Sequence, residues 1–299
     1  MKKFLIVLLV LLLPVLALAE APVEEIVVEE LTAEELVTYE LPVDFSAGFV
    51  PNPDAFTENI YEDDSIYVRL ESIEQEGAVY HVAWVEVESP TQLRTALASA
   101  NEKKTNKTSN IAKKNNAVVA MNGDYYTNRK KGYIIRQGQV LRESPLKTMD
   151  MLCIDDHGDF HILIQSDAAQ LKELLQSDRK LVNVLNFGPA LVIDGAVQEM
   201  PESYQFNMRR KEPRSAIGQV GELSYVLVVV DGRTEASDGV TCETLANFMA
   251  GLGCQQAYNL DGGGTATLVF NGNMYNSPKG GERSISDIIY FATAVDGGF

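Results

Sequence analysis

Short apolar runs that end at glycine-bearing turns recur along this chain and constrain its fold more than any other feature. Examples are Ala117–Met121, Ala190–Ile193, Tyr225–Val230 and Gln256–Leu260. Apolar runs of about four to eight residues between turn signals are typical of buried strands. Since few segments carry helical spacing, the pattern predicts an α+β fold: a single large domain with a mostly antiparallel or mixed sheet system and a few flanking helices.

Four segments have the apolar spacing of a helix. Two of them begin after a residue suited to the N-cap, Asp167 or Thr241, whose side-chain oxygen can accept a hydrogen bond from the first turn. The predicted helices are Thr91–Ala100, Ser109–Lys114, Asp167–Ser177 and a segment from Thr241 to Gly251 or Gly253.

Residues 1–19 have the layout of a secretory signal peptide. Two lysines open the chain, residues 4–13 are apolar, and Ala17-Leu18-Ala19 supplies the small residues of a cleavage site. An uncleaved N-terminal anchor is the alternative, because the apolar run approaches the length of a membrane span. We therefore expect an exported protein, extracellular or associated with the cell envelope, that contacts a membrane only through this segment.

Residues 20–64 form an acidic segment that we interpret as a solvated linker. The segment holds 14 of the 42 acidic residues and no lysine or arginine, whereas residues 65–299 hold 28 acidic and 23 basic residues. The net charge of −17 therefore belongs mainly to the linker, and the predicted domain from residue 65 onward is only mildly acidic. This charge argues against polyanion binding by the linker, and we expect no nucleic-acid partner.

The three cysteines predict buried free thiols. A helix of about twelve residues between Cys242 and Cys254 would separate them by roughly 18 Å, which is too far for a disulfide. Cys153 and the histidines show no metal-ligand spacing with this pair, so the sequence gives no support for a zinc site.

The segment Asn259–Thr265 combines a carboxylate, three glycines and a hydroxyl between two apolar runs. Three consecutive glycines are costly to order, so a folded chain places them where the backbone takes a positive φ or approaches another group closely. An ordinary hairpin turn is the alternative interpretation, since Asp-Gly and Gly-Gly both favour turns. Asp261 is thus a candidate site residue.

Polar residues also lie where other apolar strands meet, or nearly meet, glycine-bearing turns. They are Asn122, Asp124, Arg214 and Asp231. Strand ends hold side chains rigidly while the turns expose them, so such residues can converge on one rim of a sheet. Each one could instead be a plain turn residue, and the joint pattern is what favours a site.

Six motifs in register resemble the phosphodiester glycosidase family, from about residue 90 to the C-terminus. This chain has Asp124 where the family commonly has a second glycine, and Thr265 where serine is common; the turn and the hydroxyl are retained. The motifs are Asn122-Gly123-Asp124-Tyr125-Tyr126, Gly188-Pro189-Ala190-Leu191-Val192 with Asp194-Gly195, Pro213-Arg214-Ser215-Ala216-Ile217-Gly218, Asp231-Gly232-Arg233, Asn259-Leu260-Asp261-Gly262-Gly263-Gly264-Thr265, and Arg283.

The resemblance implies hydrolysis of a sugar-1-phosphodiester on the glycosidic side, with a carbohydrate phosphodiester as the partner. Glycoside cleavage ordinarily uses two carboxyl groups, for which Asp261 and Asp231 are the first pair and Asp124 the third candidate. Arginines can bind phosphate oxygens in a bidentate manner. The remaining expected contacts are phosphate binding by Arg214 and Arg283, an anion-binding backbone at Gly262, Gly263 and Gly264 with the hydroxyl of Thr265, and sugar or water orientation by Asn122.

Two other functions remain open from the residues alone. One is a noncatalytic module that binds envelope glycans. The other is a metal-dependent phosphodiesterase, because three aspartates at strand ends could hold calcium or magnesium through their oxygens. No cofactor is required by the pattern, and a divalent cation is the one that it would accommodate.

Overall fold

The computed structural model describes residues 47–99 and 104–296, all within one compact unit, Thr38–Phe299. The predicted signal peptide and the first part of the acidic linker lie outside the described residues. In the part of the chain that is described, no helix is long and apolar enough to cross a membrane.

The described chain is dominated by strands, with three short α-helices. The helices are α1 (Thr108–Lys114), α2 (Ala168–Gln176) and α3 (Cys242–Gly251). The strands are β1 (Ile60–Glu62), β2 (Ile66–Gln75), β3 (Ala78–Val87), β4 (Leu93–Leu97), β5 (Val119–Asn122), β6 (Gly132–Arg136), β7 (Gln139–Ser144), β8 (Met151–Asp155), β9 (Phe160–Leu163), β10 (Leu181–Asn186), β11 (Ala190–Ile193), β12 (Ala196–Val197), β13 (Arg214–Gly221), β14 (Ser224–Val230), β15 (Gln256–Leu260), β16 (Leu268–Phe270), β17 (Asn273–Met274) and β18 (Asp287–Phe291).

The strands form three sheets within the described residues. The main sheet has the order β1-β2-β3-β14-β13-β15-β11-β12, and the two smaller sheets have the orders β7-β6-β10-β8-β9 and β17-β16-β5-β18-β4. The pairings between neighbours in these sheets are antiparallel, for example Ser215↔Leu260 between β13 and β15. The predicted α+β class with a large, mostly antiparallel sheet system is confirmed.

The main sheet is buried on both faces at its centre. On β14, Tyr225, Leu227 and Val229 pack toward residues of the two smaller sheets, whereas Val226 and Val228 pack in the core beneath α3. A strand covered on both sides has no solvent face, which explains its unbroken apolar run. Helices α1 and α2 pack against the smaller sheets through Ile111 and Leu171.

The predicted helix Thr91–Ala100 is wrong. A 3-10 turn occupies Pro90–Gln92, and Leu93–Leu97 pairs with β18. The polar residues Arg94 and Thr95 are buried at 0% and 1% exposure, so they do not form the solvent face that the helical spacing implied. Pairing with a neighbouring strand overrides local propensity here.

The other predicted helices are confirmed, and both predicted N-cap residues cap their helices. Asp167 accepts from the backbone N–H groups of two following residues, and Thr241 accepts from Thr244 N. The three cysteines are buried free thiols, as predicted. The main sheet also takes in Ile60–Glu62, upstream of residue 65, because the buried side chain of Tyr61 packs in its core.

Candidate active site

A cleft of about 330 Å³ opens where strands β10, β13 and β15 meet loops. Arg214 begins β13, Asp261 follows β15, and the register Ser215↔Leu260 brings these two residues to the same end of the sheet. Phe187, which follows β10, completes this side. The lining residues are Phe187, Phe206, Asn207, Arg210, Glu212, Arg214, Arg233, Asp261, Gly262, Gly263, Gly264 and Arg283.

Asp261 is a nearly buried carboxyl group whose side chain is 13% exposed. Burial raises its pKa to about 6, against the opposing effects of a hydrogen bond from Thr265 and the charge of Arg283. The Thr265 hydroxyl lies 2.7 Å from both Asp261 Oδ2 and the Gly262 carbonyl oxygen. The hydroxyl can therefore donate to the ionised carboxylate or, when Asp261 is protonated, accept from it and donate to the carbonyl. Asp261 is thus poised to change protonation near neutral pH.

Two of the three glycines after Asp261 are required, Gly262 by a close backbone contact and Gly263 by its backbone conformation. A Cβ on Gly262 would lie 2.6 Å from the Pro213 carbonyl oxygen, and Gly263 has a φ of +64°. The Gly263 N–H donates to that same carbonyl at 2.9 Å, so this N–H is not directed at a substrate. The predicted anion-binding backbone therefore has at least one of its three N–H groups already engaged.

Arg214 is a buried cation that pairs with no carboxylate among the described residues. Its side chain donates to the carbonyl oxygens of Val240 at 3.2 Å, Arg210 at 2.9 Å and Asn207 at 3.4 Å, and the residue is 5% exposed. Burial lowers its pKa. Buried charges are usually paired, so an anion entering the cleft would gain a desolvated partner.

Three further arginines surround the cleft with two carboxyl groups. Arg283 Nη2 lies 3.6 Å from Asp261 Oδ2. Glu212 accepts from Arg210 Nε at 2.9 Å and from Arg233 Nε. Counting Arg214, four arginines line the cleft against two carboxyl groups, Asp261 and Glu212, which leaves an excess of positive charge. The arrangement suits a ligand that carries a phosphate.

Asn122 lies behind the cleft and is fully buried. Its side-chain nitrogen donates to the Asp261 carbonyl at 2.6 Å, and its oxygen accepts from Ser215 Oγ at 2.8 Å and Thr267 N at 3.1 Å. Asn122 therefore links the Asp261 carbonyl to β13 and to the backbone at Thr267. It does not line the cleft.

Asp124 is 0% exposed and lies away from the cleft lining. Its side chain bonds Arg136 Nη2 at 2.9 Å and accepts from Asn186 N at 2.7 Å. Arg136, also fully buried, pairs with Asp287 at 2.8 Å. These contacts join strands β6 and β10 to the loop after β5. Asp124 therefore has a structural role in the fold.

Asp124→Asn is expected to lower the free energy of unfolding by about 1–3 kcal/mol, because the amide has one acceptor oxygen and leaves a buried donor, either Arg136 Nη2 or the Asn186 N–H, without its partner. Urea denaturation of the variant beside Asp178→Asn, an exposed aspartate, measures the change. Lost turnover with unchanged stability would instead assign Asp124 to the chemistry.

Asp231 lies outside the cleft lining, in a separate hydrogen-bond network. It accepts from His81 Nε2 at 3.0 Å, Asn276 Nδ2 at 2.9 Å and Ser277 N at 3.2 Å. Burial alone would raise the pKa of Asp231, but the bonds from His81 and Asn276 lower it below its usual value. The bonds from Asn276 and Ser277 hold in place the loop that leads to Arg283. A catalytic role for Asp231 stays a prediction.

The three candidate aspartates do not share a ligand cage. Within residues 47–99 and 104–296, the one group of three His, Cys, Asp or Glu ligand atoms close enough to hold a cation is Asp155, Asp156 and His157. That group forms a hairpin tip, where Asp155 accepts from His157 N at 2.9 Å.

Half of the cleft lining was not assigned to a site from the sequence. Arg210 and Glu212 stand a few residues before Arg214 in a charged run, and that proximity was an available signal. Phe187 and Phe206 carry no such signal, because isolated aromatic residues are common in cores. The residues added by the structure are Phe187, Phe206, Asn207, Arg210, Glu212 and Arg233.

A model of the phosphodiester glycosidase family matches residues 115–292. N-acetylglucosamine-1-phosphodiester alpha-N-acetylglucosaminidase of Bos taurus is 30% identical over 120 residues, which cover 36% of this chain and 23% of that protein. The SPbeta prophage-derived uncharacterized protein YomE of Bacillus subtilis (strain 168) is 32% identical over 108 residues, which cover 36% of this chain and 17% of that protein. The chain thus matches about a fifth of the length of these relatives.

The fold resembles a solved catalytic domain as well. The zebrafish N-acetylglucosamine-1-phosphodiester alpha-N-acetylglucosaminidase catalytic domain, auto-inhibited by its pro-peptide, superposes with a TM-score of 0.61 at 20% identity. The superposition covers 82% of this chain and 87% of that domain. At this identity the likeness concerns the fold, and the cleft residues must be argued from their own geometry.

Proposed function

Because this chain belongs to the phosphodiester glycosidase family, we propose that it hydrolyses a sugar-1-phosphodiester at the bond between the anomeric carbon and the phosphate oxygen. The observation that carries the proposal is the meeting, in one cleft, of a carboxyl group of pKa about 6 and a buried arginine without a carboxylate partner among the described residues. Asp261 would act at the anomeric carbon of the sugar, and Arg214 would bind the phosphate.

Asp261 acts in its ionised form in this proposal. Its carboxylate attacks the anomeric carbon, or takes a proton from the water that does, while positive charge develops on the sugar ring. The bond from the anomeric carbon to oxygen breaks, and the phosphate monoester leaves with the electron pair. Such a leaving group is a weak base, so protonation contributes less than it would for an alcohol.

The arginines stabilise the departing phosphate. Charge accumulates on the phosphate oxygens as the bond breaks, and preorganised cations in a water-poor cleft stabilise that charge without reorganising. Arg214 is held in place by three backbone carbonyls, and Arg283 stands beside Asp261. Glu212 keeps Arg210 and Arg233 directed into the same space.

The proposed substrates are phosphodiester-linked glycans outside the cell. We propose export because residues 1–19 have the layout of a signal peptide. Extracellular or envelope glycopolymers would then be within reach, and the acidic segment would hold the domain away from the membrane.

The proposal is tested by incubating the purified protein with a panel of sugar-1-phosphodiesters, beginning with α-N-acetylglucosamine-1-phosphodiesters. We expect free sugar and phosphate monoester in equal amounts. Saturable binding of the panel without any product would indicate a noncatalytic glycan-binding module.

The value of kcat/KM is expected to rise with pH, with an inflection at about pH 6. Below that value Asp261 is protonated and cannot act as nucleophile or base, whereas above it the carboxylate predominates. Initial rates between pH 4.5 and pH 8 on one phosphodiester measure the profile. A rate that falls above pH 6 would assign Asp261 the role of acid instead.

Two variants assign that inflection to Asp261. Thr265→Val and Arg283→Gln each remove a contact that lowers the pKa of Asp261, so both should move the inflection to higher pH. Arg179→Gln is the matched control, since Arg179 is similarly exposed but pairs with Asp155 and Asp159. An inflection that stays in place in both cleft variants would assign it to another group.

A further inference from the structure

The cleft has a buried floor and an exposed mouth. Arg214 is 5% exposed and the side chain of Asp261 is 13% exposed, so the two groups proposed to act on the scissile bond lie at the floor. The side chains of Arg210 and Arg233 are 71% and 48% exposed, and both line the same cleft. We call these two arginines the mouth pair.

One carboxylate orients both members of the mouth pair. Glu212 Oε1 lies 2.9 Å from Arg210 Nε, and Glu212 Oε2 accepts from Arg233 Nε. Within residues 47–99 and 104–296, no hydrogen bond joins an Nη atom of either arginine to another protein group. The Nη1–Nη2 edge of each guanidinium is therefore available, and this edge can donate two parallel hydrogen bonds to phosphate oxygens.

The backbone around the mouth pair is closely packed. Glu212 N donates to the Val240 carbonyl at 3.2 Å, and Val240 N donates to the Glu212 carbonyl at 3.0 Å. A Cβ on Gly239 would overlap the Glu212 backbone, so glycine is needed for this approach. Arg233 has a φ of +61°, a left-handed conformation that persists in a non-glycine residue only where its surroundings fix it. Glu212 and the backbone of Arg233 therefore have fixed positions before a ligand binds.

The mouth pair carries one positive charge that the cleft does not match. The single negative charge of Glu212 is shared by the two arginines, whereas Arg283 stands 3.6 Å from Asp261. A phosphodiester brings one negative charge, and its counterpart is Arg214 at the floor. The excess at the mouth therefore favours a ligand with a second negative charge.

The mouth pair lies where the leaving group would pass. The cleft volume of about 330 Å³ is at the lower end of small-molecule sites, which span about 300–1,000 Å³, so the cleft holds little beyond a sugar and its phosphate. In the proposed reaction the anomeric carbon lies beside Asp261 and the phosphate beside Arg214. The rest of the substrate, which is the leaving group, would then extend outward past Arg210 and Arg233.

We propose that Arg210 and Arg233 form a second anion subsite, which binds a phosphate carried by the leaving group. The preferred substrates are then diesters whose leaving group is itself anionic. The second phosphate is either joined directly to the first, as in a diphosphate, or separated from it by a short polyol. This inference rests on the proposed function and narrows its substrate class.

The test compares three substrates that share one sugar-1-phosphate and differ in the leaving group: glycerol, glycerol 3-phosphate joined through its 1-hydroxyl, and methyl phosphate, which makes a diphosphate. At pH 7.5 and low salt, the better of the two doubly phosphorylated substrates should have a kcat/KM about tenfold above that of the glycerol diester, the scale of one charge-assisted hydrogen bond. The larger gain identifies the source of the second phosphate. A wild type that gains from neither would overturn the proposal.

Arg210→Gln and Arg233→Gln separate binding from leaving-group reactivity. Each removes one guanidinium of the subsite, so each should lose most of the gain, whatever its effect on the glycerol diester. Arg209→Gln is the matched control and should keep the gain, because Arg209 is an exposed neighbour that lies outside the cleft lining. If both mouth-pair variants lower all three substrates by one factor, the pair acts on the scissile phosphate alone and the proposal is overturned. A loss of the gain in Arg209→Gln as large as theirs would also overturn it.

Failure of the proposed function is separable from failure of this inference. If no diester is hydrolysed, calorimetric titration with glycerol 3-phosphate and glycerol 1,3-bisphosphate decides the subsite. Binding of the bisphosphate about tenfold more tightly, lost in both mouth-pair variants and kept in Arg209→Gln, would retain a site for two anionic groups. Equal affinities for the two ligands, or no binding of the bisphosphate to the wild type, would overturn it.

Discussion

Asp261→Asn is expected to lower kcat/KM on a sugar-1-phosphodiester by about 1,000-fold, the usual scale for loss of a catalytic base or nucleophile. The amide is nearly isosteric, but it cannot attack the anomeric carbon or accept a proton from water. Rates measured at pH 7.5 for the variant and the wild type give the ratio. Turnover within a few fold of the wild type would remove Asp261 from the mechanism.

The fold of this variant should be intact or more stable, which separates lost chemistry from lost structure. The pKa of Asp261 is about 6 in the folded protein, above its ordinary 3.8, so proton binding favours the folded state. That contribution is complete below pH 3.8 and is lost as the pH rises through 6. At pH 7.5 the ionised carboxylate therefore destabilises the fold by up to about 3 kcal/mol, a cost that asparagine lacks.

The control for this experiment is Asp178→Asn, which changes an exposed aspartate in the same way. Neither its turnover nor its melting temperature should differ from the wild type. A melting temperature of Asp261→Asn well below that of Asp178→Asn would mean that the carboxylate stabilises the fold, contrary to the raised pKa.

Arg214→Met is expected to lower kcat/KM on the phosphodiester by about 100-fold or more, the usual effect of removing one preorganised group that stabilises transition-state charge. Methionine fills much of the same volume without the guanidinium. Because three backbone carbonyls lose a donor, the variant should also unfold more easily, by about 1–3 kcal/mol. Activity must therefore be compared between two substrates on the same folded sample.

A nitrophenyl glycoside of the same sugar supplies that comparison, since it has a good leaving group but no phosphate. Arg214→Met should leave turnover of this glycoside nearly unchanged while the phosphodiester rate falls. Arg214→Lys keeps the charge but not the planar guanidinium that donates to the three carbonyls, so its phosphodiester rate should lie between those of the wild type and Arg214→Met. An equal loss on both substrates in Arg214→Met would show that Arg214 acts only through the fold.

The fold was largely predictable where local signals and burial agree. The run in β14 is apolar because both faces are covered, and the caps Asp167 and Thr241 were readable from side-chain chemistry. The segment Leu93–Leu97 was not predictable in this way. Its polar residues are buried by partners distant in the chain, and helical spacing carries no information about such partners.

The candidate site was predictable in its composition but not in its geometry. A position where a strand meets a turn marked Asp261, Arg214 and Asp124 alike, yet the first two line the cleft and Asp124 is buried against Arg136. Whether such a residue is buried or paired depends on how the sheets pack together, and that packing cannot be inferred from the residue pattern of a single sequence. For the same reason, the pairing of Glu212 with two arginines emerged only in three dimensions.

Cleavage on the glycosidic side is the central claim, and hydrolysis in oxygen-18 water tests it most directly. Products from a sugar-1-phosphodiester are separated and their masses measured after a single turnover of excess enzyme. Our account predicts the label in the sugar hydroxyl at the anomeric carbon and none in the phosphate monoester. Label in the phosphate would mean that the P–O bond breaks, and would contradict the account.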